Sequence, residues 1–196
     1  MGEPSHDNPS IPHMKLLDQT TAVCQIFTYK EGILSALAFD LRISVTSFIV
    51  ELGDDNTLIE ARFDAASLHV DCALADGIER RDLLTEASKK EIDQSILKDV
   101  LDAATYRFIT FSSRSVTKED SSYRIKGILT LHGISREMTF TARNEGNYYK
   151  AEAWLNLPEF GIKPFSALFG AIKIKPDILI KTALPIGNVQ VKQNKE

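Results

Sequence analysis

The sequence predicts a mainly β protein, an eight-stranded antiparallel barrel with one amphipathic helix, and three observations carry that expectation. Short β-rich runs are separated by turn signals along the body of the chain, the layout of linked hairpins rather than of alternating strands and helices. Within those runs apolar and polar residues alternate, so each strand has one dry face. A single segment, residues 88–104, abandons this alternation for a helical period.

The body, 19–186, reads as one domain, with residues 1–18 a polar, proline-punctuated N-terminal arm and 187–196 a C-terminal tail. Strands are expected near 21–29, 41–52, 57–64, 107–117, 122–131, 136–144, 148–156 and 177–185. Residues that tolerate tight backbone stand between several of them, as at Gly53 to Asn56, Lys118 to Ser121, His132-Gly133 and Asn144 to Asn147. Alternation then locates the inner face. Tyr123, Ile125, Leu129 and Leu131 oppose Arg124, Lys126 and Thr130; Met138, Phe140 and Ala142 oppose Thr139, Thr141 and Arg143; Ile178, Ile180, Thr182 and Leu184 share one side of the last strand. In the helical segment Ile92, Ile96, Leu97, Val100, Leu101 and Ala104 recur along one face, and Ser88 with Glu91 spells a capping box. A lone helix of this kind lies across the sheet or plugs one end of it.

Composition excludes several classes. With 196 residues, 43% hydrophobic and 26% charged, the chain can bury a core, while 7 Pro and 10 Gly are too few for a collagen-like or low-complexity protein. The longest mostly apolar run, Ile33 to Phe39, is far short of the roughly 20 residues that a membrane-spanning helix needs. The first residues contain no apolar stretch of the secretory type, and His6 stands where a myristoylation pattern requires Ser or Thr. The sequence as written is therefore expected in the cytoplasm; a recloned mature form of a periplasmic protein would look the same.

Cys24 and Cys72 are far apart and, like His6, His13, His69 and His132, show no metal-ligand spacing, so buried free thiols and no metal are expected. A nucleophile elbow, a phosphate loop and a dinucleotide fingerprint are all missing, and His132 near Ser135 reads as turn chemistry, so the chain is expected to be no enzyme. Net charge is −4, with 9 basic and 19 acidic side chains in 1–106 against 14 and 8 in 107–196. The basic residues are dispersed along strands, which makes solvated faces of them and argues against a nucleic-acid partner.

Eight hairpin-linked strands can close into a barrel whose interior is either filled by side chains or just wide enough for one slim ligand. Gly127, Ala142, Ala151 and Ala153 are small residues on the inner face and leave room there, unless large neighbours interdigitate with them. Residues 159–175 are too long and too apolar for an ordinary hairpin loop; they form either a lid at the barrel mouth or additional core.

Three stretches carry a resemblance. YRFITFSS (106–113), IKGILTLHGISREMTF (125–140) and EFGI (159–162), supported by FDAASLHVD (63–71), make residues 20–185 similar to the YceI-like family. Arg107 stands where that family's first motif has Pro, and Phe39 roughly where many relatives carry His. The resemblance implies a lipocalin-like barrel with an amphipathic helix that, in bacteria, binds a long isoprenoid or similar amphiphilic lipid without catalysis. It carries Ile109, Phe111, Leu129, Leu131, His132 and Gly133 over as motif positions, Gly133 for the turn.

The resulting expectation is a non-enzymatic carrier or sequestering protein for an amphiphilic lipid, with no other cofactor. Phe63, Ile109, Phe111, Leu129, Leu131, Phe140 and Leu155 are expected to line the tube, and Phe160, Phe165 and Phe169 to shape its mouth. Two alternatives stay open: a solid barrel that docks a partner protein, and a lipid-acting hydrolase or isomerase using His132. An edge left open between first and last strands would also allow a homodimer.

Overall fold

From residue 108 to residue 156 the chain folds as the alternation requires, into four long antiparallel strands: β9 (Phe108–Glu119), β10 (Ser122–Leu131), β11 (Ile134–Glu145) and β12 (Tyr148–Asn156). Each is joined to the next by a two-residue turn. At His132 and Gly133 both φ angles are positive, 52° and 73°, the geometry that matches the right-handed strand twist. The computed structural model describes residues 14–31, 38–53, 58–167 and 172–187.

The other strands of the main sheet are β1 (Lys15–Asp18), β2 (Val23–Thr28), β4 (Asp40–Val45), β5 (Phe48–Leu52), β6 (Ile59–Asp64), β7 (Leu68–Ala75), β8 (Ile78–Arg80) and β15 (Asp177–Pro185). Their order is β1-β5-β6-β9-β10-β11-β12-β15-β2-β4-β7-β8. A separate small sheet, β13-β14-β3, joins Ser166–Ala167, Ile172–Ile174 and Lys30–Glu31. The expected eight-stranded barrel is thus corrected to a curled, half-barrel antiparallel sheet of twelve strands among the described residues.

Three physical features account for the difference. The expected strand 41–52 breaks at Thr46 and Ser47, and the strand opposite it turns through Ala65–Ser67, a single 3-10 turn. Hydrogen bonds from Thr46 N to Ser67 O and from Asp64 N to Ser47 O, both 3.0 Å, continue the ladder across this corner. As a result β4 and β5, continuous in the chain, serve opposite ends of the sheet order and wrap it around the interior. Second, β7 carries a bulge at Asp71, where the register steps from Val70↔Ile43 to Cys72↔Arg42. A bulge adds one residue and sharpens the bend, and here it shifts the inward set to Leu68, Val70 and Ala73, which hides the strand from a period-two reading. Third, β1, β3, β8, β13 and β14 are two to four residues long, too short to show alternation. Lys15–Asp18 therefore belongs to the sheet rather than to the arm.

The helix, α1 (Glu86–Ser95), has its N-cap three residues before the expected one at Ser88. Thr85 is its N-cap, its hydroxyl accepting from Ser88 N at 3.1 Å, so one of the free amides of the first turn is satisfied before Ser88 is reached. After Ser95 the chain widens into a π-helical turn, Ile96–Val100. Asp93 ties this unit to the sheet: Oδ1 accepts from Val70 N at 2.8 Å and Oδ2 lies 2.7 Å from His69 Nδ1.

Candidate ligand cavity

The inward face of the curled sheet is apolar on every long strand, and it does not fill the space it encloses. An upper chamber of about 510 Å³ lies between β2, β4, β15 and α1, and a lower one of about 160 Å³ lies between β5, β6 and β9 to β12. Cys24, Phe63, Leu129, Leu155 and Ile180 belong to both walls, so the chambers adjoin at these residues, the waist of the interior. The upper chamber alone is within the usual size of a small-molecule site. Along β12 the inner positions from Tyr149 in the lower wall to Leu155 in the upper are six steps apart, about 20 Å of strand, so the hollow is long rather than round.

The helix roofs the upper chamber. Leu84, Ile92 and Ile96 point into it, and the π-helical turn adds Val100; the extra backbone residue in such a turn re-aims side chains, a device common at functional sites. The small sheet contributes Phe165, beside it, and Ile174.

Polar groups are scarce. Among the described residues the two walls contain one charged side chain, Glu91, with Ser95 one turn along α1 and Thr28 at the end of β2 in the upper chamber. The buried Thr28 Oγ1 has no hydrogen-bond partner among the described residues, an omission that costs on the order of 1–3 kcal/mol. At the waist, burial pushes the Cys24 thiol up to about 12, so it is a neutral, unreactive wall atom. The lower chamber ends at Tyr123 and Tyr149, packed edge to face at 5.4 Å, and Thr182.

The sequence profile of the YceI-like domain family matches residues 13–185. The chain belongs to the YceI-like family. Among solved structures, BcnA of Burkholderia cenocepacia superposes with a TM-score of 0.60 at 16% identity, over 85% of this chain and 97% of that one. A mutant YceI protein of Campylobacter jejuni carrying a monobromobimane guest gives 0.51 at 11% identity, over 97% and 92%. At such identities the likeness is one of fold. No curated protein matches the sequence.

In this YceI-like protein the residues singled out from sequence fall as follows. Phe63, Ile109, Leu129, Leu131, Leu155 and Phe165 border the upper chamber; Phe111 and Phe140 border the lower one, which Phe63, Leu129 and Leu155 share. Phe160 is a correction: the turn Leu157–Phe160, closed by Gly161 at φ 69°, folds it into the core at 3% exposure, on neither wall. Phe169 lies outside the described residues.

Gly127 is a second correction, since it leaves no room. A Cβ there would sit 2.4 Å from Phe111 Cζ and 2.5 Å from Ser112 O, so the Phe111 ring already occupies the space. Ala142, Ala151 and Ala153 do border the lower chamber. His132 and Ser135 are not paired with each other: the His132 ring packs 4.1 Å from that of Tyr106, and Ser135 Oγ is 2.8 Å from Thr130 Oγ1. Sequence reading missed the inner face of β2, Cys24, Ile26 and Thr28, although its alternation was there to be seen. Ile92 and Ile96, read as the apolar face of a helix lying across the sheet or plugging one end, line the upper chamber beneath α1.

Proposed function

We propose that this protein binds, and so transports or sequesters, one long amphiphilic lipid of the isoprenoid or isoprenoid-quinone type, with its chain threaded through the waist. The observation that carries this reading is the pair of apolar chambers sharing five wall residues. Membership of the YceI-like family and the fold shared with BcnA support it. Burying a methylene is worth about 0.8 kcal/mol, so ten to fifteen enclosed carbons would supply roughly 8–12 kcal/mol before the cost of association. Such a hollow needs few polar contacts for useful affinity, and no chemical step is part of the reading. Of the residues singled out from sequence, Phe63, Leu129 and Leu155 hold the middle of the chain, Ile109, Leu131 and Phe165 the upper part, and Phe111 and Phe140 the lower end.

The test is direct. Purified protein is extracted with organic solvent and the extract analysed by mass spectrometry, and the emptied protein is titrated with labelled polyprenyl and alkyl chains. A stoichiometric lipid, or saturable uptake of a chain, is expected. Protein that carries no lipid and takes up neither chain overturns the proposal.

A further inference from the structure

Resting on that reading, we infer that the lipid chain enters and leaves the interior sideways, through a slit between the upper halves of β11 and β12. The ladder between these strands ends at Thr141 opposite Glu152, although β11 reaches back to Ile134 and β12 runs on to Asn156. On their far sides both strands stay paired to those ends, β11 with β10 as far as Ile134 opposite Leu131, and β12 with β15 as far as Asn156 opposite Asp177. The two therefore part from each other while each remains fixed to the sheet. Beyond Asn156 the turn Leu157–Phe160 carries the chain over to the start of β11, where a Cβ on its cap Gly161 would lie 3.2 Å from Ile134 Cδ1. That contact closes the slit at the top, and the ladder closes it below.

The slit borders the ligand space. Its inner lips are Met138 and Phe140 on β11 and Ala153 and Leu155 on β12, all on the lower wall, and Leu155 belongs to the waist. Its outer lip on β12 is Trp154, 60% exposed and stacked on Tyr29 at 5.6 Å, so apolar surface continues from the wall to the outside of the sheet. The ends of the hollow are held more firmly. Asp93 ties α1 over the upper chamber through Val70 N and His69, and Tyr123 packs on Tyr149 at the foot of the lower one. Prising β10 from β11, or β12 from β15, would break backbone hydrogen bonds of the ladder, whereas at the slit no ladder is left to break. The entrance is also at mid-height. Each half of a long chain then has one chamber to fill, and neither end has to travel the whole length of the hollow.

The experiment uses the full-length protein with Thr139→Cys and Trp154→Cys, two exposed positions that would stand opposite each other if the ladder continued in register. The native thiols, Cys24 and Cys72, are buried, so a short bis-maleimide joins only the new pair. Uptake and release of a pyrene-labelled alkyl chain are followed by stopped-flow before and after cross-linking. Both rates are expected to fall at least tenfold while Kd stays within twofold, because a gate acts on the two directions alike. The control, Lys150→Cys with Ala183→Cys, staples β12 to β15 at a position that is already paired and should leave both rates unchanged. Exchange slowed by less than tenfold, or slowed as much by the control staple, overturns the inference while leaving lipid binding intact. Failure of wild type and of the variants before cross-linking to take up the chain instead overturns the reading on which it rests.

Discussion

Replacing Ala153 by Phe separates a hollow interior from a packed one. Ala153 is on the lower chamber wall, directly opposite the waist residue Ile180 on β15. An apolar cavity of about 150 Å³ is large enough to hold a benzene ring, so the lower chamber, at about 160 Å³, accepts one phenyl group. Overpacking a filled core costs about 1–3 kcal/mol; here the ring enters existing space, and the net change should stay within about 1 kcal/mol, or roughly 2–4 °C in Tm for a chain of this size. The ligand pays instead. At about 30 Å³ for a group the size of a water molecule, the chamber takes about five methylenes, worth about 4 kcal/mol at 0.8 each. That is nearly a thousandfold in Kd. The assay is displacement of a fluorescent alkyl chain by an 18-carbon and an 8-carbon alcohol: the long chain should weaken by two to three orders of magnitude and the short one, which fits above the waist, should not. Unchanged long-chain affinity, or a fall in Tm beyond about 10 °C, would refute the two-chamber argument.

Three further outcomes follow from the same geometry. Gly127→Ala puts a methyl group against Phe111 and the Ser112 carbonyl, and should lower stability by about 2–3 kcal/mol, read as a shift in the urea midpoint. Asp93→Ala strips Val70 N and His69 of their shared acceptor; a loss of about 1–2 kcal/mol and faster ligand release in stopped-flow are expected, with Asn at this position, which retains an acceptor, showing a smaller effect. Cys24 should make stability pH-dependent in the alkaline range. Its folded value, about 12, is above the ordinary 9.0, so the native state holds the proton longer than the unfolded chain does. The contribution is complete below pH 9 and lost as pH rises toward 12, and Cys24→Ala should flatten that part of the urea-midpoint profile.

Where the strands are long and regular, sequence and fold coincide. β10, β12 and β15 begin and end at the expected residues, and their inward sets supply both chamber walls. The reading failed where one residue breaks the count. The bulge at Asp71 makes β7 irregular, and the corner at Thr46-Ser47 turns one long strand into two, because a step of three moves every later side chain to the other face. Phe160 shows a different limit. Hydrophobicity placed it near the barrel end, but the left-handed Gly161 that swings it into the core is a tertiary choice. Thr28 was passed over for a related reason: an unsatisfied hydroxyl is a property of its surroundings, and only the wall around it makes it conspicuous.

The seam of the curled sheet is the pairing of β2 with β15, Cys24 opposite Thr182 and Phe27 opposite Leu179, which joins the beginning of the chain to its end. During synthesis from the N-terminus, the ribosome must release residues up to Pro185 before this edge can zip shut. Contacts so distant in sequence form slowly, and until they form, the oily faces of β9 to β12 are open to water. The two chambers therefore exist only once β15 has joined β2, because both walls draw on that pair.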